Sequence, residues 1–414
     1  MLASSIMGRH LYSLLLLLCT PLLIAHVVRK YRRENQDPMV SRRLGAHVPD
    51  QMDGCVWIHA CSLGEAKVGV ELARALIKHD ASLHVFMTAT TPAGLGVLAQ
   101  SEFVSHVFPW DFSWIWSRWL SRLRPRALIV IETELWPNLI AACHRTDVPV
   151  IVANGRLSDQ SVRGYQRFGW VSRPMWSQVS RALMQFEDDA HNAHRVGVPV
   201  HVISEVGSIK LDQSAPQISR GRANQISDWK RGHVLVCLMS SHADDDVLFV
   251  SWARQHPEMR LLIVPRHPVR GSEIKTLADA QGVHASQVSV EIQDKAQILI
   301  GDSFGDMGAY LSESDVIAIG GSFSGKGGQN PIEPALMSKP LVAGPSMHNF
   351  QAISTGLEAA GALLRTDAEH LSQSIDAAFA TAQVMGQAAS AWVEANRGST
   401  LLQVQAILAA IAAR

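Results

Sequence analysis

CVWIHACSLGEAKVGVELARALIKHDASLHVFMTAT, residues 55–90, sets two short apolar runs, Val56 to Ala60 and Leu83 to Thr88, on either side of a longer amphipathic stretch. Over Ala66 to Lys78 the residues Val70, Ala73 and Leu76 recur at the spacing of one helix face. A strand, a helix and a second strand in this order make a βαβ unit, whose helix covers one face of a parallel sheet.

The same alternation continues along the chain. Ala127 to Ile131, Val148 to Ala153 and Val202 to Val206 read as further strands, with a helix over Pro137 to Arg145. A second set follows at Val234 to Met239, Leu261 to Val264, Ile298 to Ile300, Val316 to Ile319 and Leu341 to Ala343. The expected fold class is therefore α/β, with two doubly wound, Rossmann-like domains. In such domains ligands sit outside the carboxyl ends of the strands, and two of them facing each other make a cleft. The expected boundaries are 46–210 for the first domain, 211–232 for a polar linker with few apolar residues, and 233–395 for the second domain. The alanine-rich end reads as packing helices, the last over 396–414.

A chain of 414 residues suits two such domains, at about 100–200 residues each. Its 37 basic and 37 acidic side chains cancel, so no global charge points to nucleic acid. The charge is nevertheless uneven. Residues 1–45 hold Arg9, Arg29, Lys30, Arg32, Arg33, Arg42 and Arg43 against only Glu34 and Asp37. Between the first two of these lies LYSLLLLLCTPLLIAHVV, Leu11 to Val28, which has no ionised side chain and nearly the ~20 residues that cross a bilayer. A cleaved signal peptide has a shorter apolar core and a small-residue exit, whereas this run enters a basic cluster, so a retained membrane anchor is the preferred reading. The basic excess after the run keeps the large body in the cytoplasm. Pro21 and the modest length leave a helix lying in the interface as the alternative.

Cys19, Cys55, Cys61, Cys143 and Cys237 form no CxxC pair and read as buried reduced thiols. The histidines show no HExxH or other zinc spacing, so no metal site is expected.

Candidate functional residues fall just after strands. WIHACSLGE puts Ser62, Gly64 and Glu65 on the turn that opens a helix; they form either a crevice-facing acid or a capping box serving stability alone. IETELWPN offers Glu132 and Glu134, and ANGRLS offers Asn154, Arg156 and Ser158. In the second half, GGSFSGKGGQNPIEP (Gly320 to Pro334) carries five glycines, among them Gly327 and Gly328. Their amides are expected to converge as a phosphate cradle at the start of a helix near Asn330, with Glu333 placed to bind ribose hydroxyls. Arg266, His267 and Arg270 in PRHPVR suit a phosphate or carboxylate. Ser240, Ser241 and Lys210 could join that anion site, while Asp244 to Asp246 read better as acids of a helix start.

Together WIHACSLGE, TTPAG, IETELWPN, NGRLS, GSIKLD, PRHPVR, FGDMGAY and GGQNPIEPA resemble, in order and spacing, the Kdo transferases of lipopolysaccharide synthesis (Kdo, 3-deoxy-D-manno-oct-2-ulosonic acid). The resemblance runs from the anchor to about Phe350. It implies a GT-B glycosyltransferase that moves Kdo, with inversion, from CMP-Kdo to a lipid A precursor (lipid IVA) at the cytoplasmic face of the inner membrane. It makes the first domain the acceptor side and the second the CMP-sugar side. It implies that Glu65 is the general base, that Arg266, Gly305, Met307, Asn330 and Glu333 hold the CMP moiety, and that no cofactor or chelated metal is needed. Three segments depart from the family pattern: GGHN reads GGQN with Gln329, the usual Gly-Glu pair reads Gly305-Asp306, and STHxGEE reads SSHADDD. The competing readings are a GT-B transferase or epimerase using a UDP-sugar, and a membrane-tethered homologue without turnover.

Overall fold

The structure, a computed structural model, describes residues 2–33 and 36–413. Glu34, counted above with the basic collar, and Arg414, the end of the last expected segment, lie outside the described residues. The chain divides into two units, Met1–Asp212 with Arg397–Arg414, and Gln213–Asn396.

Seven strands form the sheet of unit 1: β1 (Val56–Ala60), β2 (Val85–Ala89), β3 (Val104–Val107), β4 (Ala127–Ile131), β5 (Val150–Gly155), β6 (Arg181–Met184) and β7 (Ile203–Glu205). They pair in the order β3-β2-β1-β4-β5-β6-β7, with parallel neighbours throughout. The strand order reverses between β1 and β4, so the crevice rule selects the turns that follow these two strands. Residues alternate faces along β1. Val56, Ile58 and Ala60 join one core with Met87, Ile129 and Ile131, and Trp57 joins a second, aromatic core with Phe86, Phe108, Trp116 and Trp119. Burial on both faces explains the continuous apolar runs, and a fully buried side chain such as Phe86 contributes about 1.5–3 kcal/mol.

Unit 2 repeats the plan with β8 (Leu235–Ser241), β9 (Arg260–Pro265), β10 (Ala285–Gln287), β11 (Ile298–Ile300), β12 (Val316–Ile319), β13 (Leu341–Ala343) and β14 (Leu363–Arg365). Their order is β10-β11-β9-β8-β12-β13-β14, again parallel, with the reversal between β8 and β12.

Two expected segments need correction. The stretch 211–232 is not a bare linker: it contains the helix Arg220–Lys230, whose Ala223, Ile226 and Trp229 are buried, with Trp229 Nε1 donating to Ala296 O. The last helix, Ser399–Ala412, does pack, but in unit 1, where Val404, Ile407 and Ile411 enter the core beside β1 and β4. There Gln403, fully buried, accepts the Asn154 amide at 2.7 Å. The cysteines form no disulfide, yet Cys19 is exposed and Cys61 half-buried, so only Cys55, Cys143 and Cys237 fit the expected buried class.

The N-terminal helix spans Leu2–Arg33, and its section Met7–Arg33 contains an 18-residue window of mean hydropathy 2.2, long and apolar enough to cross a membrane. One of its faces rests on unit 1. Gly8 lies against Trp170, Ser13 Oγ meets Asn138 Oδ1 at 3.1 Å, Leu16 packs on the aromatic core, and Tyr31 faces the Arg43 guanidinium. The opposite face leaves Met7, Leu11, Leu14, Leu15, Leu18 and Leu22 exposed.

Candidate active site

In unit 1 the turn after β1 is stitched locally. Ser62 caps the helix Leu63–His79, accepting from Glu65 N at 3.3 Å. The Glu65 carboxylate folds back: Oε1 accepts from Ser62 Oγ at 2.8 Å and Oε2 from Cys61 N at 2.8 Å. The Ser62 cap is the one expected, but the reciprocal bond of a capping box is replaced by bonds to Cys61 N and Ser62 Oγ, which leave each carboxylate oxygen a further lone pair. The TTPAG motif supports the same turn, because Thr91 donates to Cys61 O from both N (3.0 Å) and Oγ1 (2.9 Å). Gly94 is glycine for closeness: a Cβ there would stand 3.1 Å from Cys61 O and 3.2 Å from Ser62 O. Gly64 is exposed beside the carboxylate.

The turn after β4 brings Glu134 to this place. Cys61, Glu65 and Glu134 bring a side-chain sulfur and two carboxylate oxygens within 4.8 Å of one another. Burial pushes the Glu65 carboxyl up, its two hydrogen bonds pull it down, and Glu132 and Glu134 raise it further, so it ends above the usual carboxylate range. Glu134 goes the other way. Burial opposes its charge, but His59, 3.5 Å away, together with Cys61 and Thr90, outweighs burial and holds it below that range. Burial pushes the Cys61 thiol up, which keeps it protonated. Two neighbouring carboxyls thus have their affinities for a proton driven apart, the arrangement that separates acid from base roles.

Glu132 takes a left-handed φ of 61°, rare for a residue with a side chain. It pairs with Lys210 Nζ at 3.0 Å. Lys210 therefore belongs to the acidic turn of unit 1, whereas Ser240 and Ser241 belong to unit 2. Asn154, also left-handed at φ 51°, is buried and structural: its Oδ1 accepts from Ile209 N, and its own amide is the one held by Gln403. Arg156 is half-buried near Asp189, whose carboxyl its charge stabilises against burial.

Arg43, read from the sequence as part of a basic collar, is 3% exposed. Its guanidinium donates to Thr90 O at 2.7 Å and lies near Cys61 and Glu134. Beside it runs a groove of about 690 Å3 lined by Met39, Arg42, His47, Pro92, Leu95 and His106 among others. Asp111, also missed, is buried and accepts from Trp116 Nε1, Asn138 N and Leu139 N at 2.6–2.9 Å, which fixes the start of the helix that follows IETELWPN.

In unit 2 the turns after β8 and β12 meet through Asp245. This fully buried carboxylate accepts from His242 N, Gly321 N and Ser324 N at 2.7–3.0 Å, and from Ser324 Oγ at 3.2 Å. The glycine stretch is thereby closed on its own unit. Gly320 N is taken by Met239 O, Lys326 N and Gly328 N by Gly321 O, and Gln329 N by Gly320 O. The expected open cradle is corrected: of the five glycines at 320, 321, 325, 327 and 328, only Gly325 and Gly327 keep amides without a hydrogen bond to the described residues, with exposed Lys326 between them. Gly320 is required by closeness, since a Cβ would meet Ser240 O at 2.5 Å. The helix expected near Asn330 is a single short turn, Ile332–Leu336, with Pro331 at its N-cap; just before it Asn330 Oδ1 accepts from Ile332 N at 3.0 Å, while Asn330 Nδ2 donates to Glu333 Oε1 at 3.2 Å. Gly328 is buried, and a Cβ on it would collide with Met347 Sδ.

Arg266 and His267 are exposed at the end of β9, with Arg266 N donating to Ser241 O at 3.0 Å. Arg270 instead turns inward to Asp246 and is spent on structure. Ser240 is left-handed at φ 57°, and Ser241 is fully buried. Gln329 Nε2 lies 3.1 Å from His242 Nε2. Gly305 has φ 84° before the helix Met307–Glu313, and Asp306 pairs with Arg222 at 3.1 Å and accepts from Ser303 Oγ.

Comparison with known proteins assigns this arrangement to a family. A family model described as 3-deoxy-D-manno-octulosonic-acid transferase (kdotransferase) matches residues 38–213. The 3-deoxy-D-manno-octulosonic acid transferase of Bordetella pertussis is 30% identical over 97% of this chain and 99% of its own length. That of Haemophilus influenzae is 28% identical over 90% of each. The fold is shared with the UDP-GlcNAc 2-epimerase from Neisseria meningitidis (TM-score 0.57, 15% identity, 86% of this chain and 99% of that one). It is shared too with a glycosyltransferase from Rickettsia africae (TM-score 0.58, 13% identity, 87% and 98%). Two parallel α/β units of this kind constitute the GT-B architecture, and the chain belongs to the 3-deoxy-D-manno-octulosonic acid (Kdo) transferase family of glycosyltransferases.

Proposed function

We propose that the chain transfers Kdo from CMP-Kdo to lipid IVA, with inversion and with Glu65 as general base. The observation that carries this reading is the pair of carboxyls at the strand-order reversal of unit 1, with Glu65 raised and Glu134 lowered. A base must be ionised yet still hold a proton well, and a carboxyl raised by burial meets both needs near neutral pH better than an ordinary one. As the bond from the anomeric carbon to the phosphate oxygen of CMP breaks, the acceptor oxygen forms its bond to that carbon. Its proton passes to Glu65, and CMP leaves with the bonding electrons. The departing phosphate calls for cationic and amide partners. Arg266, Lys326 and the free amides of Gly325 and Gly327 are the groups of unit 2 that supply them, with Asn330 and Glu333 for the ribose and Gly305 and Met307 lining the nucleotide. No chelated metal or cofactor enters these steps.

The exposed leucines of the N-terminal helix and its basic flank suit an anionic bilayer, which supports anchoring at the inner membrane with both units in the cytoplasm. Both ends of that helix touch unit 1, which favours insertion into one leaflet over a free span. The groove by Arg42 and Pro92 combines apolar walls with Arg42, Asp37 and two histidines, a mixed lining that suits an amphipathic glycolipid.

The test is incubation of the purified protein with CMP-Kdo and lipid IVA, followed by product mass spectrometry. CMP release with a Kdo-bearing lipid supports the reading, and absence of both rejects it. The closed glycine stretch specifically favours one second reading, a homologue that binds without turnover; stabilisation by CMP with no product would establish it.

A further inference from the structure

His59 lies in the middle of the apolar strand β1, fully buried, on the face opposite Ile58. Its ring stacks on Phe108, with centroids 3.8 Å apart and an interplanar angle of 24°. Its Nδ1 lies 3.0 Å from Thr88 Oγ1, and that same oxygen accepts from Trp57 Nε1 at 2.9 Å. An indole N–H can only donate, so Trp57 occupies a lone pair of Thr88. Among the described residues His59 Nδ1 is then the acceptor left for the Thr88 hydroxyl proton. Receiving it leaves the imidazole proton on Nε2. Nε2 faces Glu134 Oε2 across 3.5 Å, and among the described residues neither atom makes a hydrogen bond.

We propose that His59 is a positioning residue for Kdo transfer: oriented by the chain Trp57 to Thr88 to His59, it directs an Nε2–H at Glu134 and fixes that carboxylate beside Glu65. This rests on the reading of Glu65 as the base. Burial is the main cause that raises the Glu65 carboxyl, and the fixed negative charge of Glu134, within 4.8 Å, adds to it in the same direction. The other charged or titratable groups that face Glu134 are Arg43 from the Val40–Arg43 turn, Cys61, Glu65 itself, and Tyr165 from the helix Asp159–Arg167. Glu132, paired with Lys210, faces Glu65. A buried imidazole costs desolvation, and an apolar residue would pack equally well on Phe108, so packing alone does not call for histidine at this position.

The deciding experiment measures kcat, KM and the pH profile of kcat/KM for the full chain with CMP-Kdo and lipid IVA. His59→Phe keeps the ring stack and removes the donor. Thr88→Val removes the orienting hydroxyl at nearly constant shape. His59→Gln restores an N–H near the position of Nε2. His59→Phe is expected to lower kcat by roughly tenfold or more, the scale of a small misplacement at a reacting centre, with KM for CMP-Kdo unchanged. Its acid limb is expected at lower pH, because a Glu134 that takes up a proton no longer repels the charge on Glu65. Thr88→Val should move the limb in the same direction by less, and His59→Gln should return it to the wild-type position. If His59→Phe fails to fold, Thr88→Val and His59→Gln decide the question. A wild-type limb in Thr88→Val and His59→Phe, or equal shifts for Phe and Gln, would overturn the proposal. Glu65→Gln separates the two readings: full activity in that variant removes the base assignment itself, whereas loss of activity there with an unshifted limb in His59→Phe removes only the role of His59.

Discussion

The two units place their strand-order reversals alike and furnish them differently. Each carries a non-glycine residue in the left-handed region near the strand end, Glu132 after β4 and Ser240 within β8, a strain of about 1–3 kcal/mol that persists only where surroundings impose it. In unit 1 the turn gathers carboxyls and drives their protonation apart. In unit 2 a single carboxylate, Asp245, is consumed in shaping a glycine loop whose tip carries Lys326. Under the proposed function, one switch point keeps its acid for chemistry and the other spends its acid on architecture. The same residue type therefore has opposite meanings in the two halves, and burial with hydrogen-bond partners decides which.

The contrast can be broken most sharply at the acids themselves. Glu65→Gln retains an oxygen and an amide for the helix start, so the thermal midpoint should stay within a few degrees, while transfer falls by about 10²–10⁴-fold; a calorimetric scan beside a transfer assay checks both. Asp245→Ala should do the reverse kind of damage. It strands the buried amides of Gly321 and Ser324, at about 1–3 kcal/mol for each unpaired group, and lowers the midpoint together with CMP binding measured by calorimetry. Gln403→Ala leaves the Asn154 amide unpaired in unit 1 and should cost about 1–3 kcal/mol of stability in denaturant unfolding, with KM for CMP-Kdo unaltered. The smallest effect is sought in Glu134→Gln. Removing that charge eases ionisation of Glu65, so the acid limb of kcat/KM should move to lower pH.

Much of the scaffold was legible from patterning. β1, β4, β11, β12 and β13 begin and end where their β-branched runs do, because central parallel strands are buried on both faces. The strands that escaped notice are β3, β10 and β14 at sheet edges and β6 near one. Val104 in β3 is half-exposed and Ala285–Gln287 has no β-branched residue, so neither carries the apolar run that marks a strand. The helix Arg220–Lys230 was obscured because three buried residues are spread among eight polar or small ones.

Within the site, the acids and arginines were legible as residues following strands, but their partnerships were not. Lys210 meets Glu132 and Asn154 meets Gln403 across long sequence separations that no local spacing records. Arg43 looked like a surface charge because its burial depends on Thr90 and Tyr31. The five glycines suggested an open cradle, since a sequence reveals the freedom of a backbone and not the carboxylate that takes it up.

The pH dependence of kcat/KM for Kdo transfer to lipid IVA tests most directly whether the buried carboxyl of unit 1 is the working base. An acid limb above the ordinary glutamate value of about 4.3, abolished with activity in Glu65→Gln, is the expected result. A limb at that ordinary value, or a Glu65→Gln variant with the wild-type rate and profile, would contradict it.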